Sequence, residues 1–144
     1  MSPVDAALVR RKLAHIAASI EALGPLAQLT LPEYRARLYE RKAAERFLQE
    51  AIEAALDVNA HLIAELGADV PDDYYGGFVK LGDLGVVPRD LALSLAPSAG
   101  LRNRLVHEYE SLDDAKVLAS IAVLLARYPL YVQAIESYLT KTAA

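Results

Sequence analysis

The stretch Glu45–Ile63, ERFLQEAIEAALDVNAHLI, carries the clearest helical pattern in this chain. Its apolar residues recur every three or four positions, at Phe47, Ala51, Ala54, Val58 and Leu62. This spacing places them on one face of an α-helix, whereas a half-buried strand would carry an apolar residue at every second position. The alanines in the stripe are small enough for a second helix to approach closely. We therefore predict a core helix here, and the stripe contains no cofactor-binding motif.

Helical signals continue along the rest of the chain, and no segment alternates convincingly as a strand. Capping residues, glycines and prolines set the boundaries, because proline cannot continue a helix interior and glycine favours the position after a helix. The first three predicted helices run from Pro3 to Leu23 with Ser2 as N-cap, from Thr30 to Leu66, and from Tyr74 to Leu84. The fourth begins near Pro88, is kinked or broken at Pro97 and continues through Leu101; the last follows Ser111, bends at Pro129 and ends near Leu139. Short connections predict an all-α, mainly antiparallel bundle of four to five helices, in a single domain spanning residues 1–144.

The composition excludes several classes of protein. The chain has 144 residues, no cysteine and a formal net charge of −4. Without cysteine it has neither a disulfide framework nor a thiolate metal site, which fits a cytoplasmic protein. No uninterrupted apolar run approaches the roughly 20 residues of a membrane span, and the first residues lack the order of a secretory signal because Asp5 precedes the basic cluster. We expect a soluble, cytoplasmic protein with no membrane association.

The charge is distributed unevenly along the chain. Residues 1–50 contain eight Lys/Arg and six Asp/Glu, whereas residues 51–144 contain seven and thirteen. The basic residues of the first part gather on the predicted second helix, at Arg35, Arg37, Arg41, Lys42 and Arg46. The favoured interpretation is a solvated helix face paired with Glu33, Glu40, Glu45 and Glu50. The alternative is that this cluster forms a local nucleic-acid site, because the net charge of the chain would not attract a polyanion.

A second stretch, Leu101–Tyr109 or LRNRLVHEY, carries the candidate chemistry. At about 100° per residue, Arg102 and Tyr109 share a helix face, whereas His107 is rotated by about 140° from Arg102. A straight helix would therefore not direct Arg102 and His107 at one atom. The ring of His107 can swing toward Arg102 if the helix ends near it, and the cap expected at Ser111 favours such an ending.

These residue types suit cleavage of an RNA phosphodiester. Histidine can take a proton from the 2′-hydroxyl or give one to the leaving 5′-oxygen, and arginine neutralises charge on the phosphoryl oxygens. Asn103 can position a phosphate or the imidazole, and Tyr109 can orient His107 or lie under a base. From spacing alone the structural alternative is favoured: Arg102 and Arg104 pair with Glu108, Glu110 or a neighbouring helix, and His107 caps a helix end.

The motif resembles that of a known superfamily. Arg102, His107 and Tyr109 match the R-x4-H-x-Y signature of HEPN proteins, and RN-x-LVH-x-Y is most similar to HepT-like toxins. The resemblance covers nearly the whole chain, including YYGGFVKLGDLGVVP before the motif and a last helix with a central proline. It implies an all-α homodimer that acts as a metal-independent endoribonuclease without a cofactor. By position, Arg102 and His107 would be catalytic, and Asn103 would be the polar residue that supports them.

The resemblance also implies a partner. HepT-like toxins are paired with a nucleotidyltransferase antitoxin that can transfer AMP to the tyrosine of the motif, here Tyr109. The added phosphate charge beside Arg102 would occupy the electrostatic site of the substrate. Two alternatives remain open. One is a non-catalytic HEPN module that binds a nucleotide or a partner protein; the other is a helical interaction bundle in which the motif only ties helix ends together.

Other candidate sites have little support in the sequence. His15 and His61 have no second histidine at the spacing of helical metal ligands, so we expect no zinc site. Gly76-Gly77 follows no predicted strand and does not match a phosphate-binding loop. Tyr74 and Tyr75 beside the loop can reach a ligand, but the favoured interpretation is that they seal one end of the bundle.

Overall fold

A computed structural model of the chain describes residues 4–143, and all regular structure in this range is helical. Seven α-helices are described: α1 (Ala6–Leu23), α2 (Leu31–Ala36), α3 (Leu38–Glu65), α4 (Tyr74–Asp83), α5 (Arg89–Leu95), α6 (Ser98–His107) and α7 (Asp114–Ala143). Two short 3-10 turns, Pro25–Gln28 and Tyr109–Ser111, follow α1 and α6. The buried side chains of all seven helices form one hydrophobic cluster. The predicted all-α bundle is therefore confirmed.

Two of the predicted helices are each divided in two. The prediction of one continuous helix from Thr30 to Leu66 was wrong, because Arg37 has φ −106° and ψ 84°, outside the helical region. The hydroxyl of Thr30 accepts from the backbone N–H of Glu33, and the Glu33 carboxylate accepts from the backbone N–H of Thr30. This capping box satisfies two free donors at the start of α2. The predicted break at Pro97 is confirmed, and it separates α5 from α6.

Most of the predicted helix ends are confirmed within a few residues. Gly67 and Gly85 follow the ends of α3 and α4 with φ of 75° and 73°, a conformation that glycine adopts without steric cost. Helix α1 is capped by Asp5, whose carboxylate accepts from the backbone N–H of Leu8; the predicted cap at Ser2 and start at Pro3 lie outside the described residues. Helix α7 continues to Ala143 and passes the predicted end near Leu139.

Helices α1 and α3 pack antiparallel along most of their length. Near the start of α1, the backbone N–H of Asp5 donates to Nε2 of His61 near the end of α3. Two turns further along α1, Lys12 Nζ lies 2.9 Å from the carboxylate of Asp57. The matched residue numbers rise on α1 and fall on α3, as the predicted antiparallel arrangement requires.

Helices α3 and α7 run in the same direction. Arg41, in the first turn of α3, lies 3.7 Å from the carboxylate of Asp114, the first residue of α7. Further along both helices, the buried hydroxyl of Tyr131 donates to Asn59 Oδ1 at 2.6 Å and to the carbonyl of Ala55 at 3.1 Å. Helices α3 and α7 can run parallel because α4, α5 and α6 carry the chain from the end of α3 back to the level of its start.

The buried face of α3 is broader than the predicted stripe. Ala51, Ala54, Val58 and Leu62 are buried as predicted, but Phe47 is only partly buried. The stripe also missed residues that are fully buried, including Leu48 and Ile52. The reason is that α3 packs against α1, α4, α6 and α7 at once, so that more than one side of the helix faces the core.

Helix α7 is both long and strongly apolar. Between Asp114 and Thr142 it is long and apolar enough to cross a membrane, judged by length and composition alone. The sequence criterion of an uninterrupted apolar run overlooked this property. In the bundle, a row at helical spacing is buried: Val117, Ile121, Leu124, Tyr128, Tyr131, Ile135 and Leu139. This row packs against the other helices, whereas Val123 and Leu130 of the same helix are exposed.

Candidate functional site

The candidate motif lies on α6. This helix ends at His107, which is the end that the sequence analysis required for the motif. Leu101 and Leu105 are buried and anchor the helix to the core. His107 is the last helical residue, and Glu108 leaves the helical region with φ −130° and ψ 30°. The ending predicted near His107 is therefore confirmed. Tyr109 begins the 3-10 turn that follows, so the predicted alignment of Arg102 and Tyr109 on one continuous helix face does not apply.

Arg102 is held by residues of three helices. Its guanidinium Nη2 lies 3.6 Å from the carboxylate of Glu53 on α3, and its Nη1 donates to Asn103 Oδ1 at 3.3 Å. Its Cζ lies 5.1 Å from the centre of the Tyr74 ring on α4, which is a cation–π distance. The side chain is only 17% exposed. The ion pair with a neighbouring helix is the one that the structural alternative anticipated.

A pocket of about 160 Å³ adjoins the Arg102 side chain. Helix α3, helix α4 and the segment between them form its walls, and Arg102 closes it from α6. Its lining residues are Glu53, Leu56, Asp57, Asn59, Ala60, Ile63, Val70, Pro71, Asp72, Asp73, Tyr74, Gly77 and Arg102. His107 and Tyr109 are not among them.

The other predicted site residues lie on the surface. Asn103 and His107 are exposed, and the ring of Tyr109 is 56% exposed. Within residues 4–143 no hydrogen bond or ion pair joins Arg102 to His107. Both residues are helical, so their side chains leave α6 about 140° apart and about 7.5 Å apart along its axis. The single chain thus brings Arg102 and Asn103 together and leaves His107 apart from them.

The sequence model of the family described as Ribonuclease HepT-like matches residues 16–135. The chain belongs to the HepT-like family. The tRNA nuclease HepT of Aphanizomenon flos-aquae is 34% identical to this HepT-like chain over 139 residues, which cover 96% of the chain and 95% of the relative.

Solved structures share the fold of the HepT-like chain at lower sequence identity. YutE, a cytosolic protein of unknown function from Bacillus subtilis, superposes with a TM-score of 0.86 at 20% identity, over 99% of this chain and 95% of that one. The tri-AMPylated HEPN toxin of Shewanella oneidensis, solved in complex with its MNT antitoxin, gives a TM-score of 0.79 at 20% identity. The match covers 90% of this chain and 97% of that toxin. The HEPN-like fold that the sequence predicted is therefore confirmed.

Most residues of the basic cluster of the HepT-like chain form ion pairs. Arg46 Nε donates to Glu50 at 2.9 Å, one turn along α3. Arg41 pairs across the bundle with Asp114, a partner that the sequence did not suggest. The cluster does not occupy one helix as predicted, because the break at Arg37 separates Arg35 from the residues of α3. These pairs fit the favoured interpretation of a solvated, paired face.

The histidines outside the motif have structural partners. His15 lies 3.4 Å from Glu50, and His61 accepts from the backbone of Asp5. Across the described part of the chain, no group of three or more His, Asp or Glu side chains is arranged to hold a metal ion.

The sequence did not identify two residues, Glu53 and Asn59, that line the pocket closed by Arg102. Glu53 is one of many acids on α3, and its position relative to Arg102 depends on how α3 and α6 cross. Asn59 lies within the core stripe and is only 2% exposed. A buried asparagine in an apolar stretch was the available signal, because such a side chain requires hydrogen-bond partners. For Tyr74, contact with a ligand was the less favoured interpretation, and the structure places its ring against Arg102.

Proposed function

We propose that the chain is a ribonuclease toxin that cuts RNA with Arg102 and His107, without a metal ion, and that works in the cytoplasm as a homodimer. Membership of the HepT-like family supports RNA as the substrate. The observation that carries the catalytic assignment is the end of α6 at His107. It leaves an exposed imidazole five residues after an arginine that is held in place by Glu53 and Tyr74.

The reaction requires one base and one acid. An imidazole takes the proton of the ribose 2′-hydroxyl, whose oxygen attacks the phosphorus and forms a 2′,3′-cyclic phosphate. The bond to the 5′-oxygen breaks, and an imidazolium gives that oxygen its proton. Arg102 stabilises the negative charge that builds on the non-bridging oxygens. Asn103 accepts from Arg102 Nη1 and so supports the guanidinium from its outer side.

A second copy of the chain would bring a His107 side chain close to Arg102, which a single copy does not do. Arg102 and His107 diverge by about 140° on α6, which keeps one copy from directing both at the same phosphate. In a homodimer, two copies of α6 would face each other, so that His107 of each copy lies beside Arg102 of the other. The two imidazoles can then share the roles of acid and base.

The partner that this site fits is a nucleotidyltransferase antitoxin. Tyr109 lies two residues after His107, and its ring is 56% exposed, so its hydroxyl is accessible to a modifying enzyme. The phenol oxygen would attack the α-phosphate of ATP, form a phosphodiester with AMP and release pyrophosphate. The new negative charge close to the end of α6 would compete with RNA for Arg102. The S. oneidensis toxin, which is tri-AMPylated and bound to an MNT antitoxin, supports this assignment.

Cleavage of total RNA in the presence of EDTA tests the proposal. We expect the unaltered protein to cut and the His107→Ala variant to lose at least about a hundredfold in rate, since general acid–base catalysis contributes that much or more. His15→Ala is the matched control, because His15 is also an exposed histidine on a helix but pairs with Glu50 away from the motif.

Three results would contradict the proposal. Equal cleavage by the unaltered protein and the His107→Ala variant would assign the chemistry to another residue. Cleavage that stops in EDTA and returns with magnesium would contradict metal independence. No cleavage by either form would favour the non-catalytic HEPN module that binds a nucleotide or a partner protein.

Modification of Tyr109 is tested separately. With the antitoxin and ATP, we expect intact-mass spectrometry to show added AMP on the unaltered chain and none on Tyr109→Phe. The variant should still cut RNA, and ATP should no longer increase its inhibition by the antitoxin. AMP on the Tyr109→Phe variant would show that another residue is the acceptor.

A further inference from the structure

Arg104 lies within the motif stretch but has no part in the proposed reaction. Its side chain is exposed, and within residues 4–143 it forms no ion pair and no hydrogen bond; the ion pair of α6 is made by Arg102. The pairing of Arg104 with Glu108 or Glu110, which the structural alternative anticipated, is therefore absent from the described residues. The Arg104 guanidinium folds back along α6, with Nη1 3.4 Å from the position that a Cβ on Gly100 would occupy. It is a cation available to a ligand.

A groove of about 220 Å³ lies beside Arg104, between the end of α5, α6 and α7. The residues that define this arginine groove are Leu95, Leu101, Arg104, Val123, Leu124 and Arg127. The three leucines are buried, and Val123 is 43% exposed. The groove therefore combines an apolar lining with two guanidinium groups, one from α6 and one from α7.

The charge of the arginine groove favours an anion. Among the described residues that line it, Arg104 and Arg127 are charged and none is acidic. The pocket beside Arg102 differs, since four carboxylates line it. The absence of acids from this lining is notable in a chain with a net charge of −4. Two like charges on an apolar surface attract an oppositely charged group.

The donors available to a ligand in the arginine groove belong to the two arginines. Ser94, Ser98 and Ser120 each donate to a backbone carbonyl three or four residues earlier. Arg127 Nη1 donates to the carbonyl of Ser94 at 2.9 Å, which fixes the position of this guanidinium. A guanidinium has five N–H donors, so both arginines retain donors for a ligand. Arginine binds phosphate oxygens through such paired N–H groups.

The arginine groove lies close to the proposed catalytic histidine. Arg104 and His107 are about 60° apart around α6 and about 4.5 Å apart along its axis, and Asn103 lies about 40° beyond His107. All three side chains are exposed. Arg104 is thus the motif arginine on the same side of α6 as His107, whereas Arg102 diverges from His107 by about 140°. An RNA strand that reaches His107 can continue over Arg104 into the groove.

We propose that the arginine groove binds the nucleotide of the RNA strand that flanks the cleaved phosphate. Its phosphate contacts Arg104 and Arg127, and its base packs on the apolar surface of Leu101 and Val123. The link to cleavage rests on the proposed function, whereas the binding is independent of it. Because the serine hydroxyls of the groove donate within the chain, no hydrogen bond distinguishes the base. The groove therefore positions RNA of any sequence.

An acidic segment of a partner protein fits the arginine groove less completely. Its carboxylates would suit Arg104 and Arg127, and its apolar side chains would suit the walls. A protein segment does not account for the position of the groove beside His107, on the exposed side of α6. A nucleotide accounts for the two cations, the apolar surface and the neighbouring imidazole together.

Binding of an RNA that cannot be cut tests the proposal. The probe is a short single strand with 2′-O-methyl groups, which lack the attacking hydroxyl, and fluorescence anisotropy gives its affinity for the unaltered protein. We expect Arg104→Gln and Arg127→Gln each to weaken binding about tenfold, because each loses a charged hydrogen bond. Arg11→Gln is the matched control, since Arg11 is an exposed arginine of α1 that does not line the groove.

The salt dependence of binding separates a phosphate contact from a structural role. Loss of one contact to a single strand should lower the slope of log affinity against log salt concentration by about 0.7. We expect this change in Arg104→Gln and Arg127→Gln, and an unchanged slope in Arg104→Lys, which keeps the charge. Equal slopes for Arg104→Gln and the unaltered protein would contradict a phosphate contact at this residue.

Val123→Glu tests the wall of the arginine groove. The new carboxylate would repel the phosphate, so we expect RNA affinity to fall by about tenfold or more. Leu130→Glu is the matched control, because Leu130 lies two turns further along α7, is 50% exposed and does not line the groove. Light scattering verifies that both variants keep the molecular mass of the unaltered protein. A dimer lost only in Val123→Glu would make the groove an interface between copies and overturn the proposal.

The outcomes distinguish this inference from the proposed function. RNA affinity unchanged in Arg104→Gln and Arg127→Gln would refute the groove, and would leave the ribonuclease standing if the chain still cuts RNA. Weaker binding of the antitoxin with unchanged RNA affinity would assign the groove to an acidic protein segment and overturn the proposal. RNA binding that depends on Arg104, by a chain that cuts no RNA, would support the groove and refute the proposed function.

Discussion

The contact between α3 and α7 and the end of α6 use polar side chains in opposite ways. Between α3 and α7, the hydroxyl of Tyr131 is fully buried and donates to Asn59 and to the carbonyl of Ala55. At the end of α6, His107 and Tyr109 are exposed to solvent. The first region uses its polar groups to fix the register of two parallel helices. In the second region, His107 can move protons and Tyr109 can accept a modification, and both side chains are accessible to solvent and to partners.

This difference indicates which residues of the chain stabilise the fold and which are available for function. A buried hydrogen bond stabilises the fold because losing one partner leaves the other buried and unsatisfied. An exposed side chain at a helix end contributes little, because water replaces whatever contact it loses. Substitutions in the first region should therefore affect folding, and those in the second should affect activity alone. Arg102 lies between the two cases, since it is anchored by Glu53 and Tyr74 but closes a pocket.

The largest expected effect on the core is the loss of its free energy of unfolding at alkaline pH. Burial, and then the Glu45 and Asp114 carboxylates nearby, raises the pKa of Tyr34 to about 12. Burial also raises the pKa values of Tyr128 and Tyr131. These phenols are neutral in the folded chain and ionise near pH 10 when unfolded, so the stability they provide is complete below about pH 10 and falls as the pH rises above it; the part that Tyr34 provides is lost as the pH rises through about 12.

Urea unfolding followed by circular dichroism from about pH 9 to about pH 12 measures this loss. Tyr34→Phe is the informative variant, because it removes one of the three phenols and should shift the loss of stability to higher pH. A free energy of unfolding that stays constant up to about pH 12 would contradict the argument.

Removal of the Tyr131 side chain is the next largest perturbation. Tyr131→Ala leaves a cavity beside Phe78 and Tyr128 and removes the donor to Asn59. We expect a loss of about 3–5 kcal/mol, as for other large aromatic side chains truncated in a core. Urea denaturation gives the value. A loss below about 1 kcal/mol would mean that the contact between α3 and α7 does not fix the fold.

Removal of the hydroxyl alone isolates the hydrogen bond. Tyr131→Phe keeps the ring but leaves Asn59 Oδ1 buried without its donor, so we expect a loss of about 1–3 kcal/mol. Tyr75→Phe is the matched control, because Tyr75 is 49% exposed and should change stability by less than about 0.5 kcal/mol. Similar values for the two variants would remove the distinction between the buried and the exposed polar groups.

The smallest expected effect on stability is at the end of α6. His107→Ala and Tyr109→Ala should each change the free energy of unfolding by no more than about 0.5 kcal/mol, because both side chains are exposed. The same proteins should differ sharply in RNA cleavage and in AMP acceptance. A loss above about 2 kcal/mol in either variant would show that the motif ties helix ends together, as in the helical interaction bundle.

Predictability from sequence differed between the fold and the site. The helix break at Pro97 and the helix ends before the glycines that follow α3 and α4 could be predicted, because these residues act on the local backbone. The break at Arg37 could not be predicted from the sequence, since neither a proline nor a glycine lies there and the surrounding residues favour helix. The motif could be found because its residues are close together in the chain. Glu53 is about fifty positions from Arg102, and no local rule connects them.

The helical class of the chain, the ends of most helices and the motif formed by Arg102, Asn103, His107 and Tyr109 could all be predicted from the sequence. These properties follow from spacing, capping and proline chemistry, which act over a few neighbouring residues. Three further features depend on the packing of the helices: α3 and α7 run parallel, Arg102 lies between Glu53 and the ring of Tyr74, and Asn59 and Arg102 line one pocket. Those contacts join residues far apart in the chain, and only the packing of whole helices determines which of them meet.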